Sequence, residues 1–245
     1  MSFKPMDLDD KLIGKLDAFL ETNSFVDLYS TYDWEEDTRE NGFPDIFCLE
    51  SRLNYSNQTT GITLSDVKSV AKWGLSRHQN RIEGIEIVLP AHSLQCKLGL
   101  PNQKLEGDPS IPLHILQKSI TKGVGPTYLS KILRFGLPQE YGAIDTQCVR
   151  IFGLGDSGQH QWLVMSAKND GYGWYIPKTQ KAWPSAYSKW INILRYFASK
   201  LENNCPHPQR FVDAGLRKKG IWVCADVEMA LFSYASQQLK PRLNK

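Results

Sequence analysis

The run Lys122-Gly123-Val124-Gly125-Pro126-Thr127, with Lys131 one turn further on and Asp145 beyond it, holds the residues whose types and spacing could do chemistry. A glycine-rich loop that opens a helix can turn successive backbone N–H groups outward at the positive end of the helix dipole, which suits an anion such as phosphate. Lys122 adds a mobile cation beside that loop. Asp145 follows Gly125 by 20 residues and would bring a carboxylate close to whatever the loop holds. Each feature also has a plain structural reading: glycines often only turn a helical hairpin, and an Asp before a helical pattern is an ordinary N-cap contributing ~1 kcal/mol. A cap and a catalytic carboxylate are compatible in one residue, and taken alone the position favours the cap.

The elements that must position these residues follow from apolar periodicity. Ser110 is a candidate N-cap for a helix over about 111–121, broken by Gly123-Val124-Gly125, and Pro126 pre-sets the first turn of a second helix. That helix carries Tyr128, Leu129, Ile132, Leu133 and Phe135 and closes at Gly136 and Pro138; Asp145 opens a third. Further helices are expected over 7–21, from Ser65 to Gly74, over 185–203 and over 225–239. The polar stretch 30–62 reads as irregular loop, 85–90 as a buried strand or a helix end, and 99–110 as loop. Two apolar segments flank Lys168-Asn169-Asp170-Gly171, so a β-hairpin is expected over 161–178. The class is mainly α with a small β-hairpin insertion.

Composition bounds the rest. Apolar residues at 41% against 22% charged describe an ordinary globular chain. No apolar run approaches the ~18–20 residues that span a bilayer, and the start lacks signal-peptide blocks, so no membrane partner and a cytoplasmic location are expected. Five dispersed cysteines form no paired ligand motif. Reduced thiols, no metal and no cofactor are expected, with Cys205-Pro206-His207 the nearest approach to a ligand pair. Residues 1–60 hold 5 Lys and Arg against 13 Asp and Glu, leaving 24 against 13 in the remainder. A basic body fits a polyanion, although charge runs are usually solvated surface. Arg77, His78 and Arg81 could contact phosphate or form a polar loop.

The segments TKGVGPTYLSKIL and AIDTQCVRI together resemble the helix-hairpin-helix DNA glycosylases. In that family a glycine hairpin is followed, after a second helix and a short loop, by a catalytic Asp in a similar context. The similarity covers roughly 40 of the 245 residues. It is greatest to bacterial members with an 8-oxoguanine-glycosylase-like fold and undefined substrates. The resemblance implies one glycosylase-like unit over 1–245 with two helical lobes, the hairpin and Asp segment at 111–153, and DNA as partner of a monomer. It implies DNA contacts from Lys122, Gly123, Val124, Gly125, Thr127 and Lys131. Asp145 would stabilise the positively charged sugar or activate water once the target base has left the stack. Trp73, Trp174 and Trp222, with Tyr175, Trp183 and Phe211 beside them, are candidates for the base pocket. Thr127 stands where bifunctional members carry a Schiff-base lysine, so hydrolysis without strand cleavage is implied unless Lys122 or Lys131 substitutes. The alternatives are a DNA-binding module that keeps the clamp and lacks catalysis, and a protein that shares only the hairpin and binds another partner.

Overall fold

The structure, a computed structural model, describes residues 8–59, 61–75, 85–87, 109, 111–155 and 160–239. Arg77, His78, Arg81, Ser110, most of the 99–110 loop and the side chain of Lys122 lie outside the described part.

Helix α1 (Asp10–Thr22) begins where Asp9 accepts the Leu12 N–H, and Leu12, Leu16 and Phe19 supply its buried stripe. Ser24 caps the short α2 (Phe25–Ser30). Strands β1 (Asp33–Trp34) and β2 (Asp37–Thr38) then form a tight antiparallel hairpin, turned by Glu35 and Glu36 at φ +53° and +68°. The chain continues through α3 (Pro44–Gln58), α4 (Leu64–Leu75), β3 (Glu86–Ile87), α5 (Ile111–Ser119), β4 (Ile120–Lys122), α6 (Pro126–Gly136) and α7 (Thr146–Phe152). A second hairpin, β5 (Lys168–Asn169) and β6 (Trp174–Tyr175), precedes α8 (Ser185–Lys200), α9 (Gln209–Asp213) and α10 (Cys224–Leu239). The fold is mainly α with small antiparallel β elements. No helix among the described residues is long and apolar enough to cross a membrane.

One apolar cluster joins all these layers. Helix α10 packs on α2, α7 and α8, while α6 packs on α3, α4 and α5. Phe152 stacks on Trp162 at 4.4 Å between ring centres, with Phe19 edge-on to both. Burial of such rings is the main apolar stabilisation available to the chain.

Several expectations are corrected. The stretch 30–62 holds α2's end, a hairpin and α3. Helix α3 escapes an apolar-periodicity search because its inner face alternates Ile46, Leu49 and Leu53 with buried Glu50 and Asn57. Thr63, and not Ser65, starts α4: its hydroxyl accepts the Asp66 N–H at 3.2 Å and Asp66 accepts the Thr63 N–H at 2.8 Å, a reciprocal cap. The helix expected over 111–121 ends at Ser119, and β-branched Ile120 and Thr121 enter β4, which pairs antiparallel with β3. This resolves the 85–90 ambiguity as a strand at Glu86–Ile87. The hairpin expected over 161–178 pairs only at 168–169 and 174–175. The N–H groups of Trp162 and Leu163 instead bond to Phe152 O, and Met165 O accepts from Leu154, so these apolar residues line the core without joining a ladder.

A buried ion network crosses the helical layers. Arg217 forks onto Asp226 and Glu50, and Arg134 reaches Glu50 at 2.8 Å and Glu228 at 3.7 Å. Burial alone would lower the Arg217 pKa, but Asp226 and Glu50 hold it above its ordinary value. Cys205 and His207 gather beside Asp226 in a ligand-like cluster. The Arg217 guanidinium already supplies the positive charge there, and His207 Nε2 lies 3.0 Å from Asp226. Burial pushes the Cys205 thiol far up.

Candidate functional site

The segment leading to Asp145 is fixed from two sides. Ser130 of α6 donates to Thr127 O and accepts the Ile144 N–H at 2.9 Å, while Tyr187 and Trp190 of α8 donate to Gly142 O and Ala143 O. Gly142 is required by close approach: a Cβ there would collide with Leu194 and Glu228. Asp145 then caps α7, its Oδ1 accepting the Gln147 N–H at 2.9 Å and lying 3.3 Å from the Thr146 hydroxyl. Among the described residues Oδ2 receives no hydrogen bond, so the cap holds the carboxylate through Oδ1.

Asp145 lies at a cleft of about 570 Å³, within the ~300–1,000 Å³ typical of ligand sites. Gly123, Gly125, Pro126, Thr127 and Tyr128 form one wall. Gly123 is exposed and needs its residue type, since φ is +86°. Gly125 begins α6 at φ −96°, and a Cβ built there meets nothing within 4 Å. Nothing inside the protein therefore excludes a side chain at 125, whereas an anion approaching the α6 N–H groups would meet one. Gly125→Ala should leave the unfolding free energy within ~1 kcal/mol of wild type, the scale of an altered cap. If a DNA phosphate seats on this loop, the same substitution should weaken binding of a labelled duplex measured by anisotropy, and unchanged binding would exclude close backbone approach there.

The hairpin residues Tyr172, Trp174 and Tyr175 make the second wall, and Trp34 and Glu35 of the β1–β2 turn the third. Of the expected pocket tryptophans, Trp174 reaches this cleft. Trp73 sits behind it, against Trp34 and Phe135. Trp222 does not belong to the site: it is 4% exposed, packs on Phe25 and Tyr29, and donates to Asn204. Val124 packs partly buried against the core. Thr127 lines the cleft.

Lys131 lines the same cleft but lies at its floor and not on the open surface. It is 5% exposed, with Nζ 4.7, 4.8 and 5.4 Å from the ring centres of Trp34, Trp73 and Tyr128. Burial lowers its pKa, while the charges of Asp145 and Glu228 work the other way. Rings and carboxylates together hold the ammonium at the cleft floor.

A chamber of about 10 Å³ lies between Lys131, Arg134, Asp145 and Glu228, closed by Tyr32, Trp73 and Phe232. Burial pushes the Glu228 carboxyl up to about 7, partly offset by Arg134 and Lys131 and reinforced by Asp145. A carboxyl whose folded pKa is raised contributes stability that is complete below its unfolded value of ~4.3 and is lost as pH rises through about 7. Wild type should therefore lose more stability between pH 5 and pH 8 than Glu228→Gln, by on the order of 3 kcal/mol. Parallel urea-melting curves for the two proteins across that range would count against a buried protonated carboxyl.

Sequence reading misses Trp34, Glu35, Tyr172 and Glu228, whereas Tyr175, a candidate for the base pocket, does line the cleft. Trp34 and Glu35 fall in an acidic run that reads as irregular, and Glu228 sits in α10, which offers only a helical apolar pattern. Comparison with family models, curated proteins and solved structures returned no match.

Proposed function

We propose that the protein is a monofunctional DNA glycosylase, removing a damaged or modified base by hydrolysis of its N-glycosidic bond, in repair or in defence against modified foreign DNA. The observation that carries this reading is the meeting, in one cleft, of the Gly123–Gly125 loop, the α6 N-terminus and Asp145. The loop and helix terminus suit a backbone phosphate. Asp145, oriented through Oδ1, would offer Oδ2 to the positive charge that grows on the deoxyribose as the bond breaks, or to the water that attacks it. The aromatic walls suit an extruded base. Asp145 would be the catalytic residue; Ser130, Tyr187 and Trp190 position it. Thr127 carries no amine, so the product is an intact abasic strand that breaks only with alkali.

The test incubates duplexes bearing a panel of modified bases with the protein, then applies alkali. Alkali-dependent breaks on one member, with no breaks before alkali, are expected. No breaks on any member, alongside salt-sensitive duplex binding, would replace this reading with a binding module that lacks catalysis.

A further inference from the structure

The β5–β6 hairpin exposes large aromatic surface without burying it elsewhere. Tyr172 is 88% exposed, Tyr175 43% and Trp174 37%, and all three line the cleft that contains Asp145. Solitary exposed aromatics are ordinary, but three on one short projection are not explained by the core. The tip is held in shape: Asp170 Oδ1 accepts the N–H groups of Tyr172 and Gly173 at 3.0 and 3.1 Å, and Asn169 Oδ1 accepts that of Gly171 at 2.8 Å. Arg150 of α7 lies over the Trp174 ring, its guanidinium carbon 4.0 Å from the ring centre, which fixes the base of the projection to the helix that Asp145 caps. The exposed Lys168, Lys178 and Lys181 flank the rings along the chain, with Asp170 the one acidic residue in that span and its carboxylate committed to the tip.

Rigid rings flanked along the chain by lysines, beside a cleft, match the chemistry of unpaired nucleic-acid strands: π-faces stack on bases of any identity while ammonium groups follow the phosphates. We propose that the β5–β6 hairpin is a stacking platform for the unpaired bases of a DNA strand, with Tyr172, Trp174 and Tyr175 as its faces. The proposal rests on the reading of the cleft as a DNA site and adds its contact with strand that has left the duplex. Base identity does not enter, so the platform supplies affinity for distorted or single-stranded DNA while the cleft supplies discrimination.

The experiment measures anisotropy of labelled oligothymidine, of a duplex with a central tetrahydrofuran abasic analogue, and of the intact duplex. Wild type, Tyr172→Ala, Tyr172→Phe, Tyr175→Ala and Gly125→Ala are compared across salt. Tyr172 packs against so little that its variants should melt as wild type does. Tyr172→Ala and Tyr175→Ala should each weaken oligothymidine and abasic-duplex binding by ~5-fold or more, affect the intact duplex less, and leave the salt slope unchanged. Tyr172→Phe should restore affinity. Alanine variants that bind all three DNAs like wild type, while Gly125→Ala weakens them, would overturn the platform and leave the cleft reading standing. Failure of wild type to bind any of the three would overturn both.

Discussion

Asp145→Asn should abolish most base excision while leaving the protein folded. A fixed carboxylate acting on a developing cation or an attacking water contributes typically ~10²–10⁴-fold, so single-turnover release of the base should slow by that range. Stability should change little, because Asn caps a helix about as well as Asp and the Gln147 N–H that Oδ1 accepts has an amide oxygen to replace it. The substitution removes a negative charge that holds up the Lys131 pKa, so Lys131 should titrate lower still. Its Nζ would remain among Trp34, Trp73 and Tyr128. Unchanged excision in a well-folded variant would reduce Asp145 to a cap. A large fall in melting temperature would show that the charge is needed to hold the cleft floor.

What is legible in the sequence is the set of signals with local causes. Pro126 at a helix start, Gly123 at a positive φ, Asp145 as a cap and the stripes of α1, α6, α8 and α10 all act within a few residues, and each appears where its spacing places it. What stays illegible depends on partners far along the chain. Glu50 looks like a surface residue until Arg134 and Arg217 arrive, and its presence on the inner face of α3 hides that helix from an apolar-periodicity search. Trp222 looks like a free aromatic because nothing local announces Phe25 and Tyr29 around it. Lys131 looks like a phosphate contact because the rings that enclose it come mainly from the β1–β2 turn and α4. The wall made by Trp34 and Glu35 is hidden in the same way: a turn with two non-glycine residues at positive φ follows no common hairpin sequence.

Arg217→Met should strongly destabilise the folded protein. The side chain of Arg217 is buried, with the residue 5% exposed; it donates through Nε to both Asp226 oxygens at 2.9 and 3.1 Å, and forks onto Glu50 at 2.7 and 3.0 Å. Removing one member of such a pair leaves buried carboxylates short of their counter-charge, at a cost of ~3–5 kcal/mol. For a chain of this size that lowers the melting temperature by ~6–20 °C. Burial raises the Asp226 pKa, but Arg217 and His207 outweigh it, so the folded value is depressed. The stability this gives is present above the unfolded pKa of ~3.9 and is lost as pH falls through the depressed value; Arg217→Met should lose this acid-range dependence along with its stability. Adding Glu50→Gln should cost less in the Arg217→Met background than in wild type, because the charge it removes has already lost one partner. Full additivity would deny that the two side chains act as a pair. Because the network runs from Asp226 through Arg217, Glu50 and Arg134 to Glu228 at the chamber behind Asp145, its disruption also separates scaffold from chemistry. Excision measured well below the lowered melting temperature should persist if the network only holds α3, α6 and α10 together, and should fall with Asp145-like severity if it sets the charge at the cleft floor.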